Sequence, residues 1–252
     1  MAIKGDLVGK FITGCDIVIP ELNILIAQPT VQTILQYGED NFFEIINFLV
    51  QLKTLLKNVE KENPDMNFLS EFHFLLNMYH GDPGLRQSMD QFFELLFPLY
   101  KVIITENSID FKTIEDNKIK SRVTPFNFES LQNIIQQLFL PYSLQNSDTN
   151  YNPGSEKAAR IAEKLKKGRQ KISEQRQETD SSLLGTYVSI LTIGLSIDMK
   201  ILMQYTPFQL YDVFMRYMAK SAVDKYLKIV TVPFADTSGV EAPEDWTNNL
   251  YN

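Results

Sequence analysis

Two histidines, one cysteine and scattered carboxylates are the residues of this chain whose types could carry catalysis or hold a metal. His73 and His80 stand seven apart with no cysteine or acidic partner at ligand spacing, so the local sequence builds no tetrahedral zinc site. They read as helix-surface or core-edge side chains. The run Gly5-Asp6-Leu7-Val8-Gly9-Lys10-Phe11 has the outline of a phosphate loop, but too few residues separate its glycines and Phe11 stands where a magnesium-holding hydroxyl would be. No strand leads into a Gly-x-Gly-x-x-Gly helix start, so the dinucleotide fingerprint is missing. Cys15 precedes the apolar run Ile17-Val18-Ile19 and has no basic neighbour to lower its pKa, which reads as a buried or indifferent thiol. His80-Gly81-Asp82-Pro83-Gly84 has the glycine and proline spacing of a connection between helices. Carboxylates are plentiful, but no local spacing pairs them for acid–base work. The expectation is a non-enzymatic protein that uses no cofactor and no metal.

The elements that would position any site belong to an ordinary folded chain. Its 252 residues carry 24 Lys+Arg against 31 Asp+Glu, a net charge of −7, with 44% hydrophobic residues and a mean hydropathy of −0.15. That balance excludes a disordered polymer and a multi-span membrane protein. The chain is long enough to bury a core without a disulfide or metal staple, and a single cysteine forms no intramolecular bridge. No stretch approaches the roughly 18 uncharged apolar residues of a spanning helix, and the opening MAIKGDLVGKFITG lacks the apolar region of a secretory signal. A soluble cytoplasmic protein is expected.

The apolar spacing predicts an α+β chain, predominantly helical. In the first 28 residues, Phe11-Ile12, Ile17-Val18-Ile19 and Ile24-Leu25-Ile26 read as two or three short extended segments. Thr30 then caps a helix carrying Val31, Ile34 and Leu35, which Gly38 stops. A long helix begins near Glu39-Asp40 and carries Phe42 through Leu56; polar residues up to Pro64 close it. Further helices are predicted over Asn67–Tyr79 and, after the Gly81–Gly84 turn, through Met89, Phe92, Phe93 and Leu96 to Pro98. The period falls to two over about 101–124, where Val102-Ile103-Ile104, Ile109 with Phe111, and Ile119 with Val123 form a three-stranded meander. Helix returns from Asn127 to Tyr142, completing an N-terminal α+β domain over 1–142.

A polar linker over 143–153 separates this from a helical region over 154–232. Its first segment, 154–178, holds eight cations against four glutamates, so the rest of the chain sums to −11. Lys157, Arg160, Lys164, Lys167, Arg169 and Lys171 form the basic surface of that predicted helix, and Ile161, Leu165 and Ile172 form a thin apolar seam suited to one partner helix. Leu183–Leu191 is a largely apolar helix, Ser196-Ile197-Asp198 opens a short one, and Thr206-Pro207 starts a third. On that third helix Phe208, Leu210, Tyr211, Phe214, Met215 and Met218 form the last large apolar face, and Lys228–Val232 is read as a strand. An acidic tail over 233–252 carries the single tryptophan, Trp246.

The segment Ile24–Phe43, "ILIAQPTVQTILQYGEDNFF", resembles a stretch of the form I-x-x-QPT-x-x-x-I-x-x-x-GE-x-x-F/Y in tailed-bacteriophage proteins described as tail assembly chaperones or phage structural proteins. The runs "SEKAARIAEKLKKGRQK" and "SILTIGLSIDMKILMQYTPFQLYDVFMRYM", and the ending Pro243-Glu244-Asp245-Trp246, are similar to the second half of that family. The resemblance implies a factor that keeps a tape-measure protein soluble while tail subunits assemble on it. A tape measure is a long helical polypeptide with apolar seams, which a helical protein with seams of its own can cover. Two seams offer themselves: Ile161/Leu165/Ile172, and Phe208/Tyr211/Phe214/Met215/Met218, unless these faces pack inside the monomer. Trp246 either folds back onto its own domain or docks in a partner.

The alternative within the same resemblance is a permanent virion component such as a tail or baseplate adaptor. A third reading takes the basic helix as a nucleic-acid contact, which the interspersed glutamates and the −11 elsewhere oppose. The partners expected are phage tape-measure or tail proteins or a second copy of the chain, and neither nucleic acid nor membrane.

Overall fold

The computed structural model describes residues 5–62, 70–139, 182–231 and 242–243. Helix α1 (Gly5–Thr13) opens the chain. This corrects the extended reading of Phe11-Ile12. Phe11 is fully buried and Ile12 exposed, and the positions that face the core are Leu7, Val8 and Phe11, a helical rather than an alternating set. Gly14, at φ +68, turns the chain out of the helix as few other residues could. Strands β1 (Ile17–Ile19) and β2 (Ile24–Ile26) pair antiparallel, with Ile17 opposite Ile26 and Ile19 opposite Ile24. Those four isoleucines are buried while Val18 faces out, which is the period-two burial that β-branched residues favour.

Helix α2 (Val31–Tyr37) begins at Thr30, whose hydroxyl accepts from the Thr33 N–H, and ends at Gly38. Helix α3 (Glu39–Glu62) follows at once and is the spine of the molecule. It buries Phe42, Ile45, Ile46, Leu49, Leu52 and Leu56 on one stripe and touches α2 and the three helices described next. Helix α4 (Glu71–Gly81) is capped by Ser70; the predicted start at Asn67 falls on 67–69, outside the described residues. The turn predicted around Gly81–Gly84 contracts to one residue. Asp82 ends α4 and caps α5 (Pro83–Leu96), its Oδ1 accepting from the N–H groups of Gly84 at 2.8 Å and Leu85 at 3.2 Å, with Pro83 at the first helical position.

The meander is β3 (Tyr100–Ile104), β4 (Ile109–Thr113) and β5 (Ile119–Val123), antiparallel in that order, with Ile104 opposite Ile109 and Ile109 opposite Val123. Ile109, Phe111 and Val123 turn to the core, where Phe111 meets Phe97 at 4.8 Å between ring centroids. Helix α6 (Phe128–Leu138) covers α3 through Leu131, Ile135 and Leu138. The predicted continuation to Tyr142 falls partly on 140–142, outside the described residues.

Helices α7 (Leu183–Leu195), α8 (Met199–Leu202) and α9 (Pro207–Val230) complete the described chain. The predicted strand at Lys228–Val232 is corrected: Lys228, Ile229 and Val230 are the last turn of α9, and Thr231 closes it by donating its hydroxyl to the Leu227 carbonyl at 2.7 Å. Leu-Lys-Ile-Val has strand-like composition, but no glycine or proline interrupts α9 upstream of it. Extending an existing helix adds one hydrogen bond per residue, whereas a strand needs a partner strand.

The result is an α+β fold, mostly helical, with an N-terminal hairpin, a three-stranded meander and C-terminal helices. One contiguous core runs from Phe11 to Leu210. Among the described residues no helix is long and apolar enough to cross a membrane. The linker 143–153, the basic helix 154–178 and, apart from residues 242–243, the acidic tail 233–252 lie outside the described residues.

Candidate functional site

The polar groups that the core encloses join elements to one another. Gln28, in the Gln28-Pro29-Thr30 stretch, is nearly buried and its Nε2 donates to the carbonyls of Lys10 at 3.0 Å and Cys15 at 2.6 Å, closing the end of α1. The first N–H groups of α2, which no helical carbonyl can serve, donate instead to the loop before α9: Val31 to Tyr205 at 2.8 Å and Gln32 to Met203 at 3.0 Å. Glu39, in the Gly38-Glu39 pair, does the same for α7. Its Oε1 accepts from the Leu184 N–H at 2.8 Å and its Oε2 from the Ser182 hydroxyl. A carboxylate at that helix start also meets the positive end of the helix dipole. Val31 and Gln32, which follow Gln28-Pro29-Thr30, and Glu39 are thus the points at which the first half of the chain holds the C-terminal helices.

Asp110 and Arg122 form a bidentate pair across β4 and β5, Nε to Oδ1 at 2.7 Å and Nη2 to Oδ2 at 2.9 Å, with the Ser108 hydroxyl donating to Oδ1 at 2.9 Å. The guanidinium holds the Asp110 carboxyl below the usual carboxylate range. The Tyr79 hydroxyl donates to Asp90 at 2.8 Å; burial, reinforced by that carboxylate, pushes the phenol up to about 12. Arg86 reaches back from α5 to the last carbonyls of α4, donating to Tyr79 at 3.3 Å and His80 at 2.8 Å. These are pairings that lock turns and strand registers. His73 accepts or donates at Ser70, 2.8 Å away, within the cap of α4. Cys15, read as buried or indifferent, is exposed. Among the described residues no group of His, Cys, Asp and Glu gathers at metal-binding separation.

The apolar faces divide more sharply. On α9, Phe208 is buried and meets Phe11 of α1 at 5.1 Å between centroids, while Phe214 stacks on Tyr187 of α7 at 4.2 Å and Tyr211 tilts against the same ring at 6.4 Å. Burial pushes the Tyr211 phenol upward, as expected of a hydroxyl drawn out of water. Met215 is half-buried and Met218 is exposed. The predicted face therefore splits: Phe208, Tyr211 and Phe214 meet the chain's own aromatics, and Met218 looks outward.

Asp212 is the last buried residue on α9, and at ~1.5 Å per residue the helix continues for roughly 27 Å beyond it. That length exposes Met218, Leu227 and Ile229. At the neighbouring end of α7, Ile193 is 81% exposed, and Met199 and Ile201 of α8 also face out. Gly194 marks where α7 and α9 meet, since the Tyr217 ring occupies the space a side chain there would need. Sequence reasoning missed Ile193, Met199, Ile201 and Ile229. Ile229 was legible at helical spacing from Met218, through Ala222 and Lys225, but its strand-like neighbours masked it. The predicted seam Ile161/Leu165/Ile172, the basic residues Lys157 to Lys171 and Trp246 lie outside the described residues.

Comparison of the chain with models of protein families, with curated proteins and with solved structures finds no match.

Proposed function

We propose that this chain is a non-enzymatic assembly factor of a tailed bacteriophage, binding the helical tape-measure protein or a tail protein during tail assembly in the host cytoplasm. The carrying observation is the outer half of α9, a regular helix whose packing against the core ends at Tyr217 and which turns Met218, Leu227 and Ile229 to solvent. Surface apolar residues on a rigid, well-capped helix are the usual apparatus for gripping another helix. The phage assignment comes from the QPT…GE stretch and the C-terminal segments of the sequence, and the geometry supports the binding role.

Co-expression with the tape-measure protein encoded beside it tests this reading. The expected result is a complex that co-purifies and a tape-measure protein that stays in the soluble fraction. Failure to obtain either result, with both proteins well expressed, would contradict it. Mass spectrometry of purified virions then separates a chaperone, which is missing from the particle, from a tail or baseplate adaptor present at stoichiometric copy number.

A further inference from the structure

Met218, Ala222, Lys225 and Ile229 are all exposed and follow one another on α9 at intervals of four, three and four residues. That spacing puts them on one line of the helix, the seam against which a second helix packs. At ~1.5 Å per residue the line is roughly 17 Å long, three helical turns. Its middle is charged. Lys225 occupies a seam position between Ala222 and Ile229 and makes no ion pair among the described residues. The surrounding surface has the same sign: over 218–231 Lys220, Lys225 and Lys228 face Asp224 alone, three minus one, or +2 in a chain of net −7.

These charges choose the occupant. A second copy laid along the same seam would bring a second +2 segment against the first, so like charges would oppose pairing. A helix with an apolar seam and a carboxylate at the level of Lys225 meets both demands. Its aliphatic residues cover Met218 and Ile229, the small Ala222 lets the backbones approach, and the carboxylate takes the ammonium while the lysine stem lies along the groove.

We infer that the outer half of α9 is a docking seam for an amphipathic helix bearing acidic residues on its apolar edge. The inference rests on the proposed binding role and specifies its chemistry: the partner segment is acidic as well as helical.

Two synthetic helical peptides test it on the full-length protein, with identical leucine seams and either glutamate or lysine flanking them, followed by fluorescence anisotropy at low salt. The glutamate peptide is expected to bind about tenfold more tightly than the lysine peptide, a margin that shrinks as salt screens the pair. Lys225→Glu, which brings the segment from +2 to zero, is expected to remove the preference for the glutamate peptide. Met218→Glu with Ile229→Glu should abolish binding of both while leaving the circular dichroism spectrum unchanged, because neither side chain belongs to the buried core. Equal binding of the two peptides, or binding by neither, overturns the inference. So does a concentration-dependent dimer in sedimentation that Met218→Glu dissolves, which would make a second copy the occupant. Peptide binding without tape-measure capture would leave the seam standing and remove the phage role; capture that survives Met218→Glu with Ile229→Glu would do the reverse.

Discussion

Asp110 shows how much of this molecule's buried polarity is structural. Removing Arg122 would leave a nearly buried carboxylate with only the Ser108 hydroxyl to serve it, so Arg122→Met is expected to lower stability at neutral pH. Because the folded-state pKa of Asp110 lies below its unfolded value of about 3.9, the pair stabilises above that pH and its contribution is lost as pH falls through the folded value. Urea midpoints at neutral pH and near pH 3 should therefore differ less in Arg122→Met than in the wild type. Tyr79 works in the opposite direction. Its phenol is raised to about 12, so its stabilising contribution is intact below the unfolded value near 10 and disappears as pH climbs through the folded one. Tyr79→Phe should cost about 1 kcal/mol at neutral pH and lessen the alkaline loss, read from denaturant midpoints across that range. Neither pairing was visible in the sequence. Asp110 and Arg122 are twelve residues apart, and only the register of β4 on β5 sets them face to face.

At the scale of the elements, caps and punctuation carried most of the information. Thr30 before α2, Thr206-Pro207 before α9 and the proline and glycine after His80 all stand where local chemistry puts helix starts and joints. The meander was legible because its apolar positions alternate. Two segments misled for one reason: Phe11-Ile12 and Ile229-Val230 set bulky, strand-favouring residues side by side. At each, what decided was the longer helical pattern around them, which a reading of adjacent pairs overlooks. The α9 start offers a direct test. Thr206 accepts from the Gln209 N–H at 3.2 Å and the Gln209 side chain accepts from the Thr206 N–H at 2.8 Å, while Gln209 Nε2 also donates to the Ile12 carbonyl at 2.8 Å. Thr206→Ala is expected to cost about 1–2 kcal/mol, since the cap is buried and holds α9 to α1. In a domain of this size that corresponds to a melting temperature lower by roughly 2–8 °C, measurable by calorimetry.

The whole molecule joins an enclosed core to an unenclosed helix. From Phe11 to Leu210 the apolar residues converge on one interior, and Glu39 and the α2 amides fasten the C-terminal helices to it. Beyond Tyr217 the same helix keeps its regularity without that shelter. The apolar face expected from Phe208 to Met218 was legible as a stripe. Its division into an inner and an outer part was not, because that depends on where α7 ends beside α9. Charge follows a similar division, since the −7 average conceals the positive outer turns of α9. A core and a grip on one helix should respond separately to mutation: Met218→Glu with Ile229→Glu is expected to shift the melting temperature by no more than about 2 °C.

Co-purification of the tape-measure protein with wild-type chain and with the Met218→Glu, Ile229→Glu variant tests the account most directly. The account predicts capture by the wild type and its loss in an equally stable variant. Failure of the wild type to capture it, or equal capture by both, would contradict the account.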